Sequence, residues 1–66
     1  MSEFTKRRKK KHLSQEDIAE QLGTFQQIIS NWENGKAYPP LDAIPKLAEI
    51  LGLSIEETVY LFVPRT

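Results

Sequence analysis

Gln26, Gln27, Ser30 and Asn31 form a set of polar, hydrogen-bonding side chains suited to recognition. At about 100° per residue they share one arc of a helix, and none is charged. An ordinary solvated helix face carries Lys and Glu. A face of amides and a hydroxyl instead offers hydrogen-bond donors and acceptors, and a Gln or Asn amide can pair bidentately with adenine in the major groove of DNA. Phe25, Ile28, Ile29 and Trp32 fall on the opposite arc, the expected core face. Ile28 has a second use open to it, since its methyl groups could meet a thymine methyl. The bland alternative for the amides is an ordinary polar surface.

Little else in the chain could carry chemistry. His12 is the only histidine and lies beside a run of bases. There is no cysteine, which excludes a disulfide and a thiolate metal site. No metal-ligand cluster or Gly-rich phosphate loop is present, and Ser14 and Ser54 are explained as helix caps. No enzymatic activity, cofactor, metal or small-molecule ligand is expected.

Nine bases balance nine acids, so the formal net charge is zero. That argues weakly against a polyanionic partner, but the distribution argues for one. Six of the nine bases form the block Lys6 to Lys11. Residues 37–66 carry four acids (Asp42, Glu49, Glu56, Glu57) and two bases (Lys46, Arg65). Such asymmetry points to a basic binding side and an acidic far side. Lys10 and Lys11 are candidates for phosphate contact, although the whole block cannot face one groove. A solvated face and a nuclear-localisation patch are the competing readings of the block.

These residues need elements to position them. Residues 3–11 read as a first helix anchored by Phe4. Ser14 to Asp17 forms a capping-box pattern that opens a second helix from Gln15 to Leu22, with Ile18, Ala19 and Leu22 on one face. Gly23 stops it in the left-handed conformation. Thr24 with Gln27 repeats the capping signal, so a third helix starts at once. A connection of about three residues containing Gly is the helix-turn-helix signature, and Ala19 is small enough to let the two helices cross closely. Gly35 ends the third helix, and Pro39 and Pro40 keep 36–40 a loop. A fourth helix begins between Asp42 and Pro45, with Asp42 as its expected cap, carries Ile44, Leu47, Ala48 and Leu51, and closes at Gly52. Ser54 to Glu57 is another capping box and opens a fifth helix, which Pro64 terminates. In that helix Ile55, Val59, Phe62 and Val63 share an arc with Thr58. Tyr60 and Leu61 project elsewhere and would be exposed in a monomer. Tyr60, Leu61 and Val63 are therefore the expected dimer contact.

No strand-period alternation or internal repeat occurs. One all-α domain over residues 1–66 is expected, marginal in stability at this length. No apolar run approaches the roughly 20 residues of a membrane span, and no signal-peptide core is present. A soluble, cytoplasmic, nucleoid-associated protein is expected.

Leu13-Ser14-Gln15-x-x-Ile18-Ala19-x-x-Leu22-Gly23, followed by Ile29-Ser30-x-Trp32-Glu33-x-Gly35-Lys36, resembles the phage repressor and Cro helix-turn-helix family, also called the XRE family. Pro39 and Ile44-Pro45-Lys46-Leu47-Ala48-x-x-Leu51-Gly52 extend the likeness, which covers roughly Phe4 to Phe62. The resemblance implies a compact bundle of five short helices of the lambda-repressor type. It implies that the third helix lies in a major groove with Gln26, Gln27 and Asn31 on base edges, and Ser30 and Ile28 beside them. Thr24-Phe25-Gln26-Gln27 is close to the Thr-Thr-Gln-Gln reading head of some phage repressors. Gln15 falls at a position that usually binds a phosphate, where a helix start suits an anion. The segment with Asn34, Lys36 and Tyr38 usually lies along the phosphate backbone, with loop packing the alternative for Tyr38. Arg8 and Glu33 fall where members place a buried ion pair joining the first and third helices. Three positions depart from the pattern. Arg7 replaces an apolar anchor, Phe25 replaces a Ser or Thr cap and moves the cap to Thr24, and Ile28 is bulky.

The resulting expectation is a sequence-specific double-stranded DNA-binding transcriptional regulator of bacterial or phage type. It would be a repressor acting as a homodimer on an inverted-repeat operator. An antitoxin-like protein-interaction module is the alternative from another class, because exposed apolar residues on the fifth helix fit a foreign partner as well as a second copy. Activation instead of repression also stays open.

Overall fold

The computed structural model describes residues 2–63. Its elements are α1 (Glu3–Lys10), α2 (Gln15–Leu22), α3 (Gln26–Glu33), α4 (Ile44–Leu51) and α5 (Ile55–Tyr60), with a 3-10 turn over Leu41–Ala43 before α4. The fold is all-α, with no strand among the described residues. No helix in this range is long and apolar enough to cross a membrane.

Helices this short need their ends satisfied, because the first turn leaves backbone N–H groups without partners. Two capping boxes do this. The Asp17 amide donates to Ser14 Oγ at 3.0 Å while the Ser14 amide donates to Asp17 Oδ2 at 2.9 Å. The Glu57 amide donates to Ser54 Oγ at 3.0 Å and the Ser54 amide to Glu57 Oε1 at 3.0 Å. A third cap was missed from the sequence: the Thr5 amide donates to Ser2 Oγ at 3.1 Å.

Two expected caps are not made. The residue before α3 is Phe25, with extended backbone and no side-chain hydrogen bond; Thr24 lies one residue too early to serve. Asp42 sits inside the 3-10 turn and does not cap α4. That turn already occupies the Ala43 amide, which donates to the Pro40 carbonyl at 2.9 Å. Pro45, in the first turn of α4, brings no N–H that needs a partner.

The turn between α2 and α3 is tight. Gly23 has φ +71°, and the Thr24 amide donates back to the Ala19 carbonyl at 2.9 Å. Ala19 is buried at this crossing. The core contains Phe4, Ile18, Ile29, Trp32, Leu47 and Leu51, with Leu13, Leu22, Ile50, Leu53, Leu61 and Phe62 packed around it. Phe4 and Phe62 stack tilted, with ring centroids 5.4 Å apart, so the turn that follows α5 closes over α1.

The buried side of α5 differs from the periodic expectation. Thr58 is fully buried, its hydroxyl donating to the Ser54 carbonyl at 2.9 Å. Leu61 and Phe62 pack inward, whereas Ile55, Val59 and Val63 are exposed. The α-helix ends at Tyr60, and the next bonds tighten: the Leu61 amide donates to Thr58 and the Phe62 amide to Val59. The buried stripe is Thr58, Leu61 and Phe62, three and four residues apart, so the side that packs is rotated from the one Ile55 and Val59 mark. Leu61 is therefore not the exposed contact residue expected. The helix stop assigned to Pro64 lies outside the described residues.

Candidate nucleic-acid interface

Helix α3 is pinned from beneath by Ile29 and Trp32, both buried. Gln26 and Gln27 are exposed on its other side, with Ser30 and Asn31 half-buried. The apolar arc is narrower than the sequence implied. Phe25 is 78% exposed and Ile28 37% exposed. Phe25 precedes the helix with extended backbone, so helical periodicity does not govern it. Two apolar side chains thus flank the amides on the outer surface.

The amides are joined to the protein through a chain of hydrogen bonds. Arg8 Nε donates to Glu33 Oε1, and Arg8 Nη1 donates to the Leu13 carbonyl at 2.8 Å. Glu33 Oε2 accepts from Gln15 Nε2 at 3.0 Å, and Gln15 Oε1 accepts from Gln26 Nε2 at 3.2 Å. The side chains of Arg8 and Glu33 are only 12% and 9% exposed. Burial by itself raises the Glu33 carboxyl. Hydrogen bonds from Arg8 and Gln15, the Arg8 charge and the Thr5 hydroxyl outweigh it and hold the group below the usual carboxylate range. Glu33 is thus an anion at neutral pH, charge-paired as a buried carboxylate must be.

A second set of contacts lies along α3. Gln27 Nε2 donates to Asn31 Oδ1 at 3.0 Å, and Asn34 Nδ2 to Ser30 Oγ at 3.3 Å. Beyond the helix, Gly35 turns the chain at φ +72° and the Lys36 amide donates back to the Asn31 carbonyl at 2.9 Å. Lys36 is exposed on this folded-back loop. Tyr38 is exposed and borders an apolar recess with Pro39, Leu41, Ile44, Val59 and Val63.

The structure therefore brings Arg8, Gln15, Gln26 and Glu33 into one network, and Gln27 with Asn31 and Ser30 with Asn34 into pairs beside it. Lys10 and Lys11 gather elsewhere. With Arg7 they line a recess against Leu51, Gly52 and Leu53. A Cβ built on Gly52 would lie 2.9 Å from Lys11 Nζ. Lysines there face the C-terminal end of α4, whose partial negative charge favours them. Tyr60 and Val63 are exposed, while Leu61 is half-buried. The Gln15 contacts were invisible in the sequence, since no local pattern links residues 11 and 18 positions apart.

The helix-turn-helix family matches residues 5–57. The chain belongs to the XRE-type helix-turn-helix family. Relatives from Enterococcus faecalis and Sinorhizobium fredii are named as regulators of transcription. This XRE-family chain is similar to the HTH-type transcriptional activator BcrR of Enterococcus faecalis, 38% identical over 47 residues, 71% of this chain and 23% of that protein. It is similar to Multiprotein-bridging factor 1c of Arabidopsis thaliana, 36% identical over 50 residues, 76% of this chain and 34% of the relative. An uncharacterised HTH-type transcriptional regulator, y4dJ, of Sinorhizobium fredii is 36% identical over 58 residues, 88% of this chain and 75% of its own length. The chain thus spans 23% and 34% of the first two. No solved structure is a significant match.

Proposed function

We propose that the chain is a sequence-specific double-stranded DNA-binding regulator of transcription that acts as a homodimer and represses by occupying a promoter. The observation that carries this reading is the outer face of α3, where uncharged amides stand on a rigid, buried base in a helix-turn-helix chain. Gln26, Gln27 and Asn31 read base edges in the major groove, with Ser30 and Ile28 beside them. Gln15, Asn34, Lys36, Tyr38, Lys10 and Lys11 touch phosphates. Phosphate contacts set position and salt dependence, and base contacts set sequence.

A two-fold dimer needs an inverted-repeat operator with half-sites about 34 Å apart. The principal extents of the chain are 32 × 23 × 23 Å, so two copies side by side are of a size to reach successive major grooves on one face of the duplex. Tyr60 at the end of α5 and Val63 just beyond it are exposed and available for that contact.

The exposed apolar recess around Tyr38, Leu41, Val59 and Val63 supports a second reading, a protein-interaction module in which DNA binding is secondary. The relative named a multiprotein-bridging factor fits it.

Fluorescence anisotropy with DNA from upstream of its own gene, against shuffled DNA of equal length, tests both at two salt concentrations. Preferential, salt-sensitive binding at two subunits per duplex is the expected result. Absence of binding to either DNA at low salt would overturn it in favour of the protein-interaction reading. A promoter–reporter assay then separates repression from the activation named for BcrR.

A further inference from the structure

We infer that Glu33 is a specificity-determining residue: through Gln15 it dictates which way round the Gln26 amide faces, and so which base Gln26 selects. The inference rests on the base-reading role proposed for α3. It starts from an asymmetry between two amide pairs. Gln27 and Asn31 face each other with nothing to set direction, so both amides can turn over together and keep their bond. Gln26 has no such freedom, because its chain of hydrogen bonds ends on an ion.

The chemistry runs outward from the core. Arg8 Nε occupies Glu33 Oε1, and the second carboxylate oxygen faces Gln15. An ionised carboxylate only accepts hydrogen bonds, so Gln15 must turn its NH2 group inward and its Oε1 outward. That oxygen only accepts, so Gln26 must give it an N–H. One N–H and the Oε1 of Gln26 are then left for DNA. Adenine offers an N7 acceptor and an N6 donor, which match that pair. Guanine offers two acceptors, N7 and O6, and Gln26 lacks the second N–H to meet them. The buried Arg8–Glu33 pair is thus more than a tie between α1 and α3. It excludes guanine at a base that it never touches.

Reversing the polarity at the buried end should reverse it at the surface. In Glu33→Gln the new side chain accepts from Arg8 and donates to Gln15. Gln15 then turns its NH2 outward, Gln26 turns its oxygen inward, and both Gln26 N–H groups face the base. In Gln15→Met the middle link is gone and the buried charges stay paired.

The test is selection of binding sites from a randomised DNA pool by the full chain. Wild type, Gln26→Ala, Glu33→Gln and Gln15→Met are compared after each has been shown to melt cooperatively by circular dichroism. Gln26→Ala locates the position that Gln26 reads. There, wild type should prefer adenine to guanine by about fivefold or more. Glu33→Gln should prefer guanine, and Gln15→Met should bring the ratio near unity while binding all sites more weakly. A purely structural role for Glu33 would weaken binding everywhere and leave base ratios unchanged, which would overturn the relay. If Glu33→Gln does not fold, for want of a counter-charge to Arg8, Gln15→Met decides alone: an unchanged ratio rejects the relay. A wild-type pool without base preference would overturn the reading role of α3 itself, and the relay with it. Retained wild-type preference in both variants would overturn the relay only.

Discussion

Gln27 shares one hydrogen bond with Asn31 and is exposed, so in either orientation of the pair its amide has a donor and an acceptor site left for a base edge. Gln27→Ala should therefore cost about 1–3 kcal/mol at one operator base pair and relax the preference there. Competition binding to cognate and singly altered sites checks this, and equal losses on all sites would deny the role. His12 illustrates a different cost. It holds φ +58° between α1 and α2, a left-handed conformation uncommon for residues with a Cβ, although His adopts it more readily than most. His12→Gly should be neutral or stabilising by up to about 1 kcal/mol, since glycine reaches that conformation without strain. Urea denaturation reads the difference. Amide types, uncharged spacing and the lone histidine were all visible in the sequence. The partners of Gln15 were not, because residue type says what an amide can bond and not what lies beside it.

At the scale of elements, the end signals carried most of the legible information. The Ser14 and Ser54 boxes form as read, and Gly23 and Gly52 close α2 and α4 in left-handed conformations. Such signals are local, with both partners within one turn of helix, so packing hardly alters them. Thr24 and Asp42 failed because their helices begin later or through a 3-10 turn, which local spacing does not distinguish. Ser54→Ala should cost about 1 kcal/mol, measured by denaturant unfolding. The boxes also make stability depend on pH. Hydrogen bonds from the Ser14 backbone and hydroxyl lower the Asp17 carboxyl below its ordinary 3.8, and those from Ser54 do the same for Glu57 against 4.5. A carboxyl depressed in the fold contributes stability above its unfolded value, and that contribution is lost as pH falls through the folded value. Glu33 has the same sign. Thermal melts should therefore be flat from neutral pH down to about 5 and fall at more acid pH. A midpoint that rises on acidification would contradict the assignment.

For the whole molecule, α5 decides what is core and what is available to a partner. Leu61 packs on the core and Tyr60 stands 67% exposed beside it. Leu61→Ala should destabilise the fold by roughly 2 kcal/mol. Tyr60→Ala should change monomer stability by less than about 0.5 kcal/mol and weaken dimerisation if α5 makes the contact. Denaturation together with sedimentation equilibrium separates the two effects. Charge acts on the same scale. Lys10→Ala should lower affinity for all DNA sequences alike and flatten the dependence on salt by about one unit of slope. A sequence-selective loss would mean that Lys10 reads bases.

Five helices, most of their boundaries, the Gly turn between α2 and α3 and the uncharged amide face of α3 could all be read from residue types and spacing. Each of these depends on neighbours within a few residues, where spacing and side-chain type suffice. Three-dimensional packing was needed to show that Leu61 faces in while Val59 and Val63 face out, and that Phe25 stands free. The Arg8–Glu33 pair was legible through the family pattern, and the structure carried it on through Gln15 to Gln26. Those bonds connect residues 25, 18 and 11 positions apart, and they exist because packing around Ile29 and Trp32 sets how α1, α2 and α3 meet.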